Sequence, residues 1–294
     1  LDMPNDKGRR VDRDRIFEAL YEKYGEVIIP YKILKELYPK CRKSNFEITV
    51  TLVRRDYDWV VTKIECGDTT QNHYGLCVDL GSTTVIMRLV DLNNGNIVAE
   101  ECTFNKEIKF GEDILNRIFY TRNSKEKLYE VHKAAIDTFL ELLDIIEKKT
   151  GVKGEDISIM TVAGNTTMIH FLLNIDPWNI FQTPYTPVFN QPGFINAEEI
   201  GIPINGYVYC FPSVANYFGG DIVSGLLYTE IYDSDKISAF IDIGTNGELV
   251  IGNNDFLVAV AGAAGPALEG GISKFGMRAK KGAIDTIKII NNEI

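Results

Sequence analysis

Apolar and polar positions alternate along the chain in two rhythms, and the rhythm changes at a few definite places. Between Arg13 and Tyr24 the apolar positions Ile16, Ala19, Leu20 and Tyr24 recur at helical spacing. Tyr31–Cys41, entered from Pro30, predicts a second helix. Phe46–Arg54 and Trp59–Cys66 alternate and are rich in β-branched residues, which predicts two strands. Residues 13–74 therefore predict a small α+β unit, behind a polar linker over residues 1–12. From Gly75 the pattern becomes α/β. Gly75–Leu80, Thr84–Asp91 and Asn96–Glu101 predict three strands, with Asn94-Gly95 as a hairpin turn. Helical spacing follows over Ile108–Tyr120 and Lys125–Thr150, then a short buried strand over Ser158–Val162 and a helix over Asn165–Leu173. Residues 174–206 are rich in Pro, Asn and Gly and predict a long irregular excursion. Val208–Phe211 predicts a strand and Ala215–Tyr228 a helix. Ile237–Asp242, Glu248–Gly252 and Phe256–Ala261 predict three more strands.

The pattern contains an internal repeat. CVDLGSTTVIMRLVDLNNGNIVAE, from Cys77, and FIDIGTNGELVIGNNDFLVAVA, from Phe240, follow one order: apolar strand, Asp, apolar residue, Gly, Ser/Thr, tight turn, second strand, Asn-rich turn, third strand. A strand that ends in this way brings three kinds of group to one rim. Asp79 and Asp242 can each hold Mg2+ through water. Gly81, Gly244 and Gly247 let the backbone approach a phosphate without a Cβ in the way. The turn N–H groups and side chains of Ser82, Thr83, Thr84, Thr245 and Asn246 can donate to phosphate oxygens. Two such hairpins facing each other would make a clamp, which suits phosphoryl transfer because that chemistry needs positioning and charge neutralisation. Neither GxxxxGK[ST] nor a GxGxxG opening a helix occurs, which weakens the alternative phosphate-binding readings.

Composition narrows the class. A chain of 294 residues, 45% hydrophobic, can bury a core and suggests about two domains. Its net charge of -10 disfavours nucleic acid and anionic membranes as partners. The longest nearly apolar stretch, Phe256–Leu268, is too short to span a bilayer. Five cysteines without a CxxC give no disulfide framework or metal site, and fit a reducing, cytoplasmic compartment. The chain starts at Leu1 and ends on a strand-like Thr286–Ile294, so it reads as cut from something longer at both ends.

DLGSTT at Asp79 resembles the first phosphate motif of the actin/Hsp70/sugar-kinase (ASKHA) superfamily, and DIGTNGE at Asp242 resembles its second. Within that superfamily the chain resembles the ATP-dependent reductive activators of corrinoid proteins. The segments that carry this are GEDILNRI (111–118), AGNTTM (163–168), NIDPWN with TPYTPVF (174–189), ANYFGGDI (215–222), DIGTNGE and AGPALEGG (264–271). The resemblance implies a ribonuclease-H-like actin/Hsp70-type ATPase domain over residues 75–294, incomplete at its C-terminus, behind a small α+β middle domain over residues 13–74. It implies ATP and Mg2+ as ligands, with Gly265 of AGPALEGG among the ATP-phosphate contacts, and a corrinoid protein as partner. The activity it implies drives Co(II) corrinoid to Co(I). It places a [2Fe–2S] ferredoxin domain before Leu1 and adenine-binding residues mostly beyond Ile294, so residues 1–294 alone are expected to be inactive in electron transfer. A homodimer is a further expectation.

Plainer roles stand beside these. Asp79 and Asp242 could cap strands as turn formers. Asp221, behind Gly219-Gly220, is by the resemblance the residue that orients the attacking water, and by position a helix-start acid that complements the helix dipole. Asn165, Thr166 and Thr167 read as an N-cap cluster or as ligand contacts. His170 reads as a helix residue with a satisfied ring, and Trp178, Phe181, Tyr185 and Phe189 as core for the excursion. The competing functions are a small-molecule kinase on the same fold and a non-catalytic module for dimerisation and docking.

Overall fold

The computed structural model describes residues 11–244 and 246–263, in two units that divide between Asp221 and Ile222. In the first, α1 (Asp12–Tyr24) buries Ile16 and leads through the two-residue strand β1 (Val27–Ile28) to α2 (Tyr31–Lys43). Helix α2 buries Ile33, Leu37 and Cys41, spaced at one turn each. β2 (Ile48–Arg55) and β3 (Asp58–Cys66) pair antiparallel, and β1 adds parallel to β3. Both helices bury their apolar stripes with Val61 and Ile64 of β3. The α+β pattern of residues 13–74 thus holds, with β1 too short to show in the sequence rhythm.

Next come β4 (Tyr74–Leu80), β5 (Thr84–Asp91), β6 (Ile97–Phe104), α3 (Ile114–Thr121), α4 (Lys125–Thr150) and β7 (Ile157–Gly164). They are followed by α5 (Thr166–Leu172), α6 (Trp178–Phe181), β8 (Phe194–Asn196), β9 (Tyr207–Cys210) and α7 (Gly220–Thr229). The strands form one sheet in the order β6-β5-β4-β7-β9-β8, in which β4, β7 and β9 are parallel. Helix α4 lays Val131, Ala135, Phe139, Leu142 and Ile146 into the same core as Leu76, Val78, Val85, Met87 and Val162 of the sheet. Lys63 Nζ of β3 reaches Asp156 Oδ1 just before β7 at 2.8 Å, joining the α+β part to the sheet. Among the described residues no helix is long and apolar enough to cross a membrane. The five cysteines are free.

In the second unit β10 (Ser238–Ile243), β11 (Asn246–Gly252) and β12 (Leu257–Ala263) form an antiparallel meander. β4-β5-β6 is the same meander in the first unit, so the sequence repeat is a repeat of topology. Asp79 pairs with Ile86 and Asp242 with Glu248, which makes the second turn one residue shorter.

Some boundaries differ from the sequence reading. The helix expected over Ile108–Tyr120 is a 3-10 turn over Lys106–Phe110 and then α3, because Asp113 caps α3 by accepting from the Asn116 N–H. The helix expected over Ala215–Tyr228 begins only at Gly220. Residues before it turn back on themselves, with the Val214 N–H bonded to the Phe218 carbonyl at 2.8 Å. The Asn94-Gly95 turn is longer than two residues: Asp91 bonds Asn96, and Gly95 takes φ 76. The excursion over 174–206 holds α6, β8 and a 3-10 turn. Trp178, Phe181 and Phe189 pack on the core as expected, but Tyr185 is exposed.

Candidate functional site

The three parallel strands end at Leu80, Gly164 and Cys210, and the chain turns into a loop at each of these ends. In open α/β sheets ligands bind outside the carboxyl ends of such strands. Asp79 is the penultimate residue of β4, exposed, in register with Ala163 of β7. The turn Gly81–Thr83 then reverses the chain into β5, with Thr83 and Thr84 exposed. A Cβ on Gly81 would lie 2.5 Å from the Thr84 carbonyl oxygen, so the turn closes this tightly only with glycine there.

Beneath this turn lies a buried polar cluster. Asn105 is 1% exposed, and Glu107 and Arg117 are fully buried. Asn105 Nδ2 donates to the Gly81 carbonyl at 2.9 Å, and the Asn105 N–H donates to the Thr83 carbonyl at 2.8 Å. Arg117 Nη2 donates to the Ser82 carbonyl at 2.5 Å, Nε to the Gly111 carbonyl at 3.0 Å and Nη1 to Glu107 Oε2 at 2.9 Å. Nη1 also lies 3.4 Å from Met168 Sδ. The cluster is tied to α4 where Thr138 Oγ1 accepts from the Lys106 N–H at 3.1 Å. Burial pushes the Glu107 carboxyl up to about 8 against the pull of Arg117, and Glu107 Oε1 is buried without a hydrogen-bond partner. Burial lowers Arg117 from its ordinary value.

The second strand-end loop is Gly164–Thr166. Asn165 caps α5, its side chain accepting from the Thr167 N–H, so the cap reading holds. Asn165 Nδ2 and Thr166 Oγ1 also donate to the carbonyls of Asn216 and Ala215, which brings the loop before α7 to the same end of the sheet. Gly219 and Gly220 make that approach possible. A Cβ on Gly219 would lie 2.4 Å from the Gly164 carbonyl oxygen, and one on Gly220 would lie 2.6 Å from Phe211 Cβ. Asp221, half-buried in the first turn of α7, therefore follows a glycine pair seated on the end of β7. His170 Nδ1 pairs with the Thr166 carbonyl at 2.7 Å, and Nε2 accepts from the Val188 N–H at 3.2 Å. Its ring is satisfied and structural, and burial lowers its pKa.

In the second unit Asp242 is half-buried near the end of β10, directly across from the buried Glu248 of β11. The Gly244 N–H bonds the Asn246 carbonyl at 2.8 Å and closes the turn. Gly247 pairs with Ile243 at the start of β11. Thr245, Gly265 and the AGPALEGG segment lie outside the described residues.

The first unit thus brings Asp79, Gly81, Ser82, Thr83, Thr84 and Asp221 to one end of its sheet, and the second holds Asp242, Gly244, Asn246 and Gly247 in an equivalent hairpin. The sequence reading gave no role of their own to Asn105, Glu107 and Arg117. Arg117 had left a signal: it occupies an apolar-face position of α3 beside Ile118 and Thr121. A charge on such a stripe is buried only when it is paired.

A six-stranded mixed sheet that opens on a three-stranded meander, followed by a second copy of that meander, is an α/β arrangement built on a repeat. Family models describing the RACo linker region, the RACo middle region and the C-terminal ASKHA domain of RACo match residues 1–71, 74–234 and 236–294. The chain belongs to the RACo family. It is 32% identical over 223 residues to the corrinoid activation enzyme RamQ of Eubacterium limosum, covering 75% of this chain and 37% of that protein. It is 22% identical over 236 residues to the [Co(II) methylated amine-specific corrinoid protein] reductase of Methanosarcina barkeri, covering 73% of this chain and 41% of that one. A solved reductive activator for corrinoid, iron–sulfur protein superposes with TM-score 0.84 at 40% identity, covering 96% of this chain and 46% of that one. The chain spans less than half the length of each of these proteins.

Proposed function

We propose that the chain is the nucleotide-handling part of a cytoplasmic reductive activator, which uses ATP to drive an inactive Co(II) corrinoid protein to Co(I). The reading is carried by the tight strand-end turn after Asp79, held by buried donors on its inner side and exposed on its outer side. Family membership and the corrinoid relatives supply the substrate class.

The residues present fit Mg·ATP. Glycine at position 81 lets the turn close against the Thr84 carbonyl oxygen, the outer side of the turn is exposed at Thr83 and Thr84, and Asp79 stands at its rim. Asp242 is the penultimate residue of β10, at the entry to the second turn, as Asp79 is in β4 at the first. When bound, Mg·ATP would supply free energy through transfer of its terminal phosphoryl group to water. The N–H groups and hydroxyls of Ser82, Thr83 and Thr84 would orient phosphate oxygens, with Gly244, Thr245, Asn246, Gly247 and Gly265 doing so from the second motif. Asp79 and Asp242 would each accept hydrogen bonds from metal-bound water. Asp221 would accept a hydrogen bond from the attacking water and take its proton on a carboxylate oxygen. One electron converts Co(II) to Co(I). We propose that it comes from an iron–sulfur domain of the whole protein. The partner is a corrinoid protein, and a homodimer is proposed as the working assembly.

The test is nucleotide hydrolysis by the full-length protein with its corrinoid partner. Asp79→Ala and Asp242→Ala should each lose Mg2+-dependent turnover, while Asp221→Asn should lower kcat and leave the Kd for nucleotide nearly unchanged. Wild-type turnover in Asp79→Ala or Asp242→Ala would remove the basis for the reading.

A further inference from the structure

We propose that Arg117 and Asn105 are positioning residues for a phosphate-binding loop: they draw the carbonyls of Gly81, Ser82 and Thr83 to the inner side of the turn, and so present the amides of Ser82, Thr83 and Thr84 to an anion on the outer side. This rests on the reading of that turn as a phosphate site.

The geometry follows from peptide planarity. A trans peptide points its N–H opposite to its C=O. The three peptides 81–82, 82–83 and 83–84 each have the carbonyl held by a named donor: Asn105 Nδ2 at 2.9 Å, Arg117 Nη2 at 2.5 Å and the Asn105 N–H at 2.8 Å. Their N–H groups are therefore turned to the other side. The donors are buried and Thr83 and Thr84 are exposed, so the carbonyl side is the inner one. Successive amides aimed the same way make an anion-binding concavity, and preorganised donors bind an anion without first having to be reoriented.

Arginine suits this position for a stated reason. Its planar fork reaches the Ser82 carbonyl, Glu107 Oε2 and the Gly111 carbonyl at once, from three different nitrogens. A lysine ammonium is a single point on a flexible stem and cannot span the three acceptors in that plane. The cluster also explains three sequence segments with no chemistry of their own. Arg117 comes from GEDILNRI, Met168 from AGNTTM and Asn105 from the turn after β6, and they converge under one loop.

The experiment measures binding of Mg·ATP and of adenosine to the full-length protein by calorimetry. Removing Arg117 alone would strand a buried carboxyl, so the main variant replaces the two hydrogen-bonded partners as a unit, Glu107→Leu with Arg117→Met. Buried pairs replaced by apolar residues of similar volume commonly keep the fold. That double variant should bind Mg·ATP about tenfold more weakly and adenosine as wild type does, since only the phosphates meet the loop. Arg117→Lys should fall between the two and serves as the deciding variant if the double variant does not fold. Asp79→Ala is the control for the underlying reading and should also lose Mg·ATP affinity. Wild-type Mg·ATP affinity in the folded double variant, or in Arg117→Lys where that must decide, would overturn the positioning role while leaving the phosphate site standing if Asp79→Ala still loses affinity. Wild-type affinity in Asp79→Ala would overturn both. Equal loss for adenosine and Mg·ATP would assign Arg117 to the fold in general and overturn the inference.

Discussion

The chemistry of this chain depends on single residues whose neighbours, more than their type, decide what they do. Glu107 is an example. An exposed glutamate titrates near 4.5, but complete burial pushes this one up to about 8. Its folded-state value lies above its unfolded value, so the folded chain holds the proton more tightly and protonation stabilises the fold. That contribution is fully present below about 4.5 and is lost as pH rises through about 8. In Glu107→Gln it does not titrate. The stability of the wild type relative to Glu107→Gln should therefore fall between pH 5 and pH 9, measured by denaturant unfolding at each pH. Parallel stability profiles would show that Glu107 keeps an ordinary pKa. At this scale the sequence was legible where a residue's chain neighbours define it. Asn165 is an N-cap because it bonds the first turn of the helix it opens, and His170 is a satisfied helix residue because one ring nitrogen bonds the Thr166 carbonyl a turn earlier in the same helix. Arg117 was not legible as a support, because its partners Ser82, Glu107 and Met168 come from three other segments.

Among elements, the repeated hairpin was legible because strand, glycine turn and strand are all local patterns, and both copies form as read. The start of α7 was not. Apolar periodicity runs back to Ala215, but the helix begins at Gly220, where the chain must pass close to the end of β7. Tertiary contact, not propensity, sets that boundary. The glycine pair can be tested directly. A methyl group at Gly219 would lie 2.4 Å from the Gly164 carbonyl oxygen and 2.7 Å from Asn165 Cα, both backbone. Gly219→Ala should thus displace the start of α7, lower stability by about 1–3 kcal/mol and weaken hydrolysis through Asp221. Thermal unfolding with a parallel turnover assay measures both effects. Unchanged stability would mean that the two backbones separate freely and that the glycine is not what seats Asp221.

On the scale of the whole molecule, each of the two units has a strand that ends one residue after an Asp, with a glycine next that begins the turn back. Fold class followed from the alternation of strands and helices together with the repeat. The sequence also carried the family, through segments such as GEDILNRI and ANYFGGDI whose meaning is structural: the first supplies Arg117 and the second the glycines that seat α7. What rhythm and composition could not supply was the substrate, which is a property of a partner's chemistry and entered through resemblance alone. The central claim is that nucleotide turnover at these hairpins drives cobalt reduction. The most direct measurement follows the cobalt optical spectrum of a Co(II) corrinoid protein mixed with the full-length activator and an electron donor, with and without Mg·ATP. The account predicts conversion to Co(I) only with Mg·ATP, and none with folded Asp79→Ala or Asp242→Ala. Equal conversion without nucleotide, or with those variants, would contradict it.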